Sequence, residues 1–362
     1  MDAQADGQRQ AWCDPGACAL LGMGYALPGA ALDTETLLAR INDNFGIDLT
    51  RTGGVVARRL AVRTRHVCRD LRYRHERPRP EDSNAALAAR AVQAALDEAG
   101  LDAADLGFLI GHTSSPGQAL PPNIAEVAEL LGYAGPYLEL RQACTGFATA
   151  LIAARGLLTT MDCAPVAIVG SETGSVYFDP ASAAQDHEQL VNLLQMGDGA
   201  AACLVARAGR AATGTLSHVY FGQRGNGRQP GFSLAAGGSD AEPAQRRSAQ
   251  YRHDYAAVKA AGPELFALGL AAARSMGVDP ERVDHIIPHQ VSGRVGAQLA
   301  PFLGIAPERF FINAGHCGNT GSAAIWLALA QLRPQLARGS SVLALGAEAT
   351  KYMYGGFHYV HG

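Results

Sequence analysis

Three residues have types and settings that chemistry can use: Cys144, His289 and Asn319. Cys144 stands where the apolar run Tyr137-Leu-Glu-Leu140 gives way to an Ala-rich helical run from Thr145 to Leu158. Backbone N–H groups at a helix N-terminus favour negative charge, so this position favours the thiolate, the form that attacks carbonyl carbon. A lone cysteine is more often a small buried hydrophobe, so position alone does not decide its role. His289 closes the apolar run Val283-Asp-His-Ile-Ile-Pro-His289, at the strand end where open α/β sheets gather their binding sites. His285 lies four residues earlier, but Pro288 between them argues against the two-histidine zinc geometry of a helix. Asn319 lies in Gly315-His-Cys-Gly-Asn-Thr-Gly321, a turn whose small residues let backbone approach a ligand. An Asn before a helix is equally an ordinary cap.

Elements must hold these residues in place, and the pattern supplies them. Ala19 to Pro28 reads as a strand running into a turn. Its Gly22-x-Gly24 lacks the third glycine of a dinucleotide fingerprint. Asn84 to Gly100 has helical spacing with a glycine stop, and Leu106 to His112 is a buried strand. Helix over Asn123 to Leu131, strand over Tyr137 to Leu140 and strand over Val166 to Val169 continue the alternation. After the small polar segment Gly209 to Gly214 the order restarts, with a helix from Pro263 to Met276, the strand ending at Pro288, and a last helix and strand surrounding Ser322 to Leu345. This alternation predicts an α/β fold with a largely parallel sheet, in two similar halves at 1–208 and 209–362. The Gly/Gln/Arg/Ser-rich stretch from Gly222 to Arg252 has no periodicity and reads as a surface excursion.

Composition narrows the class. With 48% hydrophobic and 17% charged residues over 362, the chain is a compact, enzyme-sized body and not a disordered one. A net charge of -3 gives no global pull toward nucleic acid or anionic membrane. Arginines crowd Arg51 to Arg79, a patch open to two readings, a site for an acidic partner or a solvated surface loop. The seven cysteines are scattered without metal-ligand spacing and read as free thiols in a reducing cytoplasm. No leader and no apolar run of the ~18–20 residues a bilayer needs is evident, and the first dozen residues read as a loose tail.

Together the three segments resemble the thiolase-fold condensing enzymes, most closely the β-ketoacyl-acyl-carrier-protein synthase III group. Ala143-Cys-Thr-Gly-Phe147 resembles the nucleophile elbow, Pro288-His-Gln290 the histidine motif and Gly318-Asn-Thr-Gly-Ser-Ala-Ala324 the asparagine motif. Order and interval agree as well, with 145 residues from Cys144 to His289 and 30 from there to Asn319. Leu60 to Val67, Gly197-Asp-Gly-Ala-Ala201 and Tyr354-Gly-Gly-Phe357 look like further family segments.

The resemblance implies a thiolase-like fold, two pseudo-duplicated βα halves in a layered αβαβα sandwich. It implies a cytoplasmic homodimer without metal, flavin or nicotinamide. Cys144 would accept an acyl group from a thioester on a carrier protein or coenzyme A, and backbone N–H groups of Cys144 and Thr350 would hold the oxyanion. His289 and Asn319 would stabilise the enolate left when a malonyl-type thioester loses CO2. Two alternatives stay open: acyl transfer to a hydroxyl or amine without decarboxylation, and an inactive partner in a heterodimeric synthase. Leu120, in Pro116 to Pro122, would gate the acyl pocket across the dimer together with Phe266, and Arg294 would contact the carrier protein. Departures point to specialised metabolism. The Trp and Arg that sandwich adenine are missing near Phe45 to Thr52 and at Ser175-Val-Tyr177, Ala267 replaces a carrier-contact lysine and Ser292 an asparagine. Gln118 and Leu120 stand where relatives that join two long chains keep a glutamate base. The chain between Asp179-Pro180 and Gly197 is longer than in simple members.

Overall fold

The computed structural model describes residues 11–74, 76–160, 164–210, 212–234 and 251–362. Most of the expected tail (1–10), Cys163 and the core of the surface excursion (235–250) lie outside the described residues. The tail is shorter than the sequence suggests, because Trp12 already pairs with Phe221.

The chain opens with β1 (Trp12–Asp14) and β2 (Cys18–Ala26), then β3 (Leu32–Asp33), α1 (Thr34–Phe45), α2 (Thr50–Leu60) and β4 (Thr64–Arg65). Next come α3 (Asn84–Ala99), β5 (Phe108–His112), α4 (Asn123–Leu131), β6 (Tyr137–Leu140), α5 (Gly146–Thr160) and β7 (Val166–Glu172). Helices α6 (Pro180–Gln185) and α7 (His187–Gln195) precede β8 (Gly199–Arg207) and β9 (Gly214–Gln223). The antiparallel pair β10 (Phe232–Leu234) and β11 (Tyr251–His253) leads to α8 (Tyr255–Ser275), β12 (His285–Pro288) and α9 (Val295–Leu303). Then follow α10 (Ala314–Cys317), α11 (Ala324–Leu332), β13 (Ser341–Glu348) and β14 (Met353–His361).

The main sheet runs β12-β13-β14-β9-β2-β8-β7-β5-β6, with β1 also on β9. One order of elements occurs twice. In the first half β5 lies parallel to both β6 and β7, and β7 antiparallel to β8. In the second, β12 lies parallel to β13 and to the segment at Phe310, and β13 antiparallel to β14. A short ladder from Cys18 to Leu20 against Leu216 to Gly214 joins the two.

Side-chain alternation along each strand then sets the layers. One face of β2, β5, β7 and β8 packs on α3 and α4. Their other face, with one face of β9 and β12–β14, encloses α5 and α11. The outer face of that second group meets α8 and α9. Helices α5 and α11 are apolar nearly all round because both their sides are covered, with Phe147, Trp326 and Phe357 in mutual ring contact between them. The result is a layered α/β fold in which the buried helices begin beside the C-terminal ends of parallel strands.

Several expectations change. The main sheet is not largely parallel: β12–β13, β5–β7 and β5–β6 pair parallel, while β13–β14, β14–β9, β9–β2, β2–β8, β8–β7 and β1–β9 pair antiparallel, because the parallel strands at the two ends are joined through a central antiparallel block. Helix α8 starts at Tyr255, eight residues before Pro263, because Asp254 caps it through the Ala257 N–H (2.9 Å) and Pro263 is tolerated inside. At 21 residues α8 is long and apolar enough to cross a membrane, yet Leu265, Phe266, Leu270 and Ala273 pack into the core. Strand β14, unforeseen, follows β13. Its Gly356 is required, since a Cβ there would lie 2.2 Å from the Ala344 carbonyl. Gly22 and Gly24 serve packing, as a Cβ on either would meet a carbonyl of α3 at 2.4 Å. In the arginine-rich segment Arg65 and Arg69 are fully buried and Arg65 donates to the Leu194 carbonyl, so neither belongs to a surface patch.

Candidate active site

Cys144, His289 and Asn319 line one cavity of about 670 Å³. Chain topology brings them there. Cys144 opens α5 after β6, Asn319 precedes α11 at the matching place in the second half, and His289 directly follows β12. Most of the wall is apolar, including Phe266, Val295, Leu299 and Tyr352. Exposed Arg59 and Lys259 stand at the mouth.

The elbow at Cys144 is held from across the molecule. Glu348, at the end of β13, accepts hydrogen bonds from the Thr145 N–H (2.8 Å) and hydroxyl (2.7 Å), so it caps α5 in place of a local side chain. Beneath the elbow lies His112, with a Cβ at Gly146 falling 2.6 Å from its Nδ1. Burial pushes this imidazole down to about 3, with the Ala143 backbone opposing. The expectation of a resting thiolate fails here. Burial raises the Cys144 thiol well above its ordinary value, Glu348 and Glu172 raise it further, and only its own N–H opposes. The helix terminus is outweighed by desolvation and two nearby carboxyl groups.

His289 is 3% exposed, and burial lowers its imidazole to about 4, so it is neutral at neutral pH. Its backbone N–H donates to the Leu345 carbonyl (2.8 Å), fixing the turn after β12. Gln290, fully buried, donates to the Pro288 (2.8 Å) and Phe311 (3.1 Å) carbonyls and accepts from the Asn313 N–H (2.9 Å). It therefore ties the histidine turn to the segment leading to Asn319. Asn319 is clamped by backbone bonds to Gln195 (2.8 Å) and Gly197 (3.0 Å). Gly197 must be glycine, because a Cβ would lie 1.9 Å from the Cys317 carbonyl. Asn319 Oδ1 accepts from the Gly321 N–H (3.0 Å), which leaves its NH2 as the donor end.

The remaining sequence candidates divide. Phe266 and Thr350 line the cavity, with the Thr350 hydroxyl donating to Glu348. Leu120 does not line the cavity of its own chain and is 83% exposed. Arg294 is also exposed and donates to the Arg58 carbonyl (3.3 Å) near the mouth. The stretch after Asp179 forms α6 and α7 and contributes Asn192, Gln195 and Met196 to the wall. Above it Phe232 stacks on Tyr251 at 4.7 Å, and His253 bonds Asn192 at 3.0 Å. Sequence reading missed Glu172 and Glu348, which carry no local motif, and gave Gln290 only as part of the histidine motif.

Two family models match the segments that carry the site. The 3-oxoacyl-(acyl-carrier-protein) synthase III model covers residues 138–225, around Cys144, and its C-terminal counterpart covers 273–355, around His289 and Asn319. A β-ketoacyl-(acyl-carrier-protein) synthase III of Pseudomonas aeruginosa (strain LESB58) is 31% identical over 338 residues, covering 91% of this chain and 92% of the relative. The chain belongs to the synthase III family. It is a thiolase-fold condensing enzyme that transfers acyl groups between thioesters. A synthase III of Bradyrhizobium diazoefficiens is 28% identical over 338 residues, covering 90% of this chain and 93% of the relative. Among solved structures, the tetronic acid condensing enzyme AbyA1 superposes with a TM-score of 0.83 at 26% identity, over 95% of this chain and 99% of that one. The Xanthomonas campestris OleA H285N structure shares the fold, with a TM-score of 0.77 at 17% identity over 96% of this chain and 99% of that one.

Proposed function

We propose that Cys144 is the acyl-carrying nucleophile and that His289 and Asn319 activate a second thioester for carbon–carbon bond formation. The observation that carries this is the convergence of all three on one cavity, from segments 145 and 30 residues apart. The resting pair is a thiol and a neutral imidazole, so the thiol proton leaves as the sulfur attacks, and His289 can accept it. The tetrahedral oxyanion is held by the Cys144 N–H, with the Thr350 N–H as second donor. The C–S bond to the first carrier then breaks, the carrier leaves as its thiol with the proton from His289, and the acyl group stays on Cys144. The second thioester then places its carbonyl oxygen between the His289 ring and the Asn319 NH2, which stabilise its enolate.

The donor is a carrier-protein thioester, with exposed Arg294 meeting the carrier's acidic face beside the mouth. Leu120 suits insertion into a second copy, since a leucine this exposed on a tight turn is otherwise unpartnered, so the active form is a homodimer in the cytoplasm. The 1–208 and 209–362 halves then meet around the one cavity. Intact-mass measurement after incubation with acyl-carrier protein and with acyl-coenzyme A tests this. An adduct that disappears in Cys144→Ala is expected, and the absence of an adduct with every donor would sink the reading.

A further inference from the structure

Two carboxyl groups stand in the wall of the Cys144 cavity, and the chemistry above uses neither. They differ in what remains free. Glu172 Oε1 accepts from the hydroxyls of Ser114 (2.9 Å) and Ser115, and Oε2 from the hydroxyl (2.9 Å) and N–H (3.3 Å) of Ser322. A carboxylate offers about four acceptor sites, so Glu172 is saturated and braces β7 against the Asn319 turn. Glu348 accepts at Oε2 from the N–H and hydroxyl of Thr145, and at Oε1 from the Thr350 hydroxyl. One site on Oε1 stays open.

Charge limits the second substrate. Among the described lining residues the permanent cations are Arg59 and Lys259, both exposed at the mouth. A malonyl-type thioester would bring its own carboxylate to a buried floor lined by Glu172 and Glu348, without a buried cation among the described lining residues, and burying an unpaired charge is costly. A neutral substrate avoids this, but its nucleophile must then be made by removing a proton.

We propose that Glu348 is the proton acceptor for a neutral second thioester with an acidic α-carbon, such as a 3-oxoacyl thioester. The inference rests on the acyl-Cys144 reading. Glu348 Oε1 takes the α-proton, and the C–H electron pair becomes the enolate, held at oxygen by His289 and Asn319. The α-carbon attacks the acyl carbon on Cys144, the new C–C bond forms and the C–S bond breaks. The departing sulfur recovers the proton from Glu348. No CO2 is lost and nothing is oxidised or reduced. The second carbonyl acidifies the α-carbon enough for a carboxylate to serve. The high proton affinity of Cys144 favours the final return.

The test joins acylation, condensation and exchange. Wild-type protein and Glu348→Gln are acylated and followed by intact mass, then given a 3-oxoacyl thioester or a malonyl thioester. Counted per acylated Cys144, product from the 3-oxoacyl thioester should fall about 100-fold or more in Glu348→Gln, the scale of a lost general base. In the Cys144→Ala protein, α-hydrogen exchange of the 3-oxoacyl thioester in D2O should exceed buffer. Adding Glu348→Gln should abolish it and Glu348→Asp should restore part, a pattern that loss of structure alone would not give. Unimpaired condensation or exchange in Glu348→Gln, or CO2 release from malonyl thioester as the productive reaction, would overturn the proposal while leaving acyl-Cys144 intact. No adduct in wild type would overturn both.

Discussion

Replacing His112 by Phe should flatten the acid sensitivity of this protein. Burial holds His112 down at about 3 and His289 at about 4, against an ordinary value of 6.5. Between those limits the unfolded chain binds a proton at each imidazole and the native state does not. Stability is therefore full above about pH 6.5 and is lost as pH falls through the window toward the folded values. At pH 5, about 1.5 units below the unfolded value, each buried imidazole lowers stability by about 2 kcal/mol, or about 4 kcal/mol for the two. That is a large part of the roughly 5–15 kcal/mol typical of a folded domain. Phe is planar, larger than the imidazole that packs against Gly146 and Gly170, and cannot titrate. Urea unfolding at pH 8 and pH 5 measures the loss for wild type and His112→Phe. The variant should lose about 2 kcal/mol less between the two pH values, and any fixed misfit cancels in that difference. An unchanged pH dependence would refute the assignment of a neutral buried imidazole beneath the elbow.

Other outcomes follow from the same geometry. Asn319→Ala should leave Cys144 acylation intact while condensation falls about 100- to 1,000-fold, the scale of one lost preorganised donor; intact mass and product assay separate the two. Glu348→Gln removes a carboxyl group that raises the Cys144 thiol, so iodoacetamide should modify Cys144 faster at pH 8, as seen by peptide mapping. Gly24→Val would press a side chain onto the Ala91 carbonyl and should destabilise the fold by about 1–3 kcal/mol or more, read as a lower urea midpoint.

Much of the fold was legible because it is written locally. Helix α4 and strand β6 lie at their predicted bounds, and α3 ends at Gly100 in a left-handed cap as the glycine stop suggests. Chemistry-bearing residue types at strand ends, in family order, likewise pointed to Cys144, His289 and Asn319. The start of α8 was misread because a proline that suits a first turn is also tolerated within a long helix. Strand β14 was missed because Gly355-Gly356 resembles a turn until neighbouring strands leave no room for a Cβ.

By itself, then, the sequence determined the alternation of elements and singled out the three residues proposed to carry an acyl group and stabilise an enolate. Tertiary structure decided their electrical setting. Glu348 meets Thr145 across 203 residues of chain, Ser322 meets Glu172 across 150, and His112 lies under an elbow built from another segment. Such contacts arise from strand order and layer packing, which leave no periodic trace. A helix terminus adjacent in sequence to Cys144 argues for a thiolate, but burial and two carboxyl groups brought from elsewhere keep the proton on sulfur.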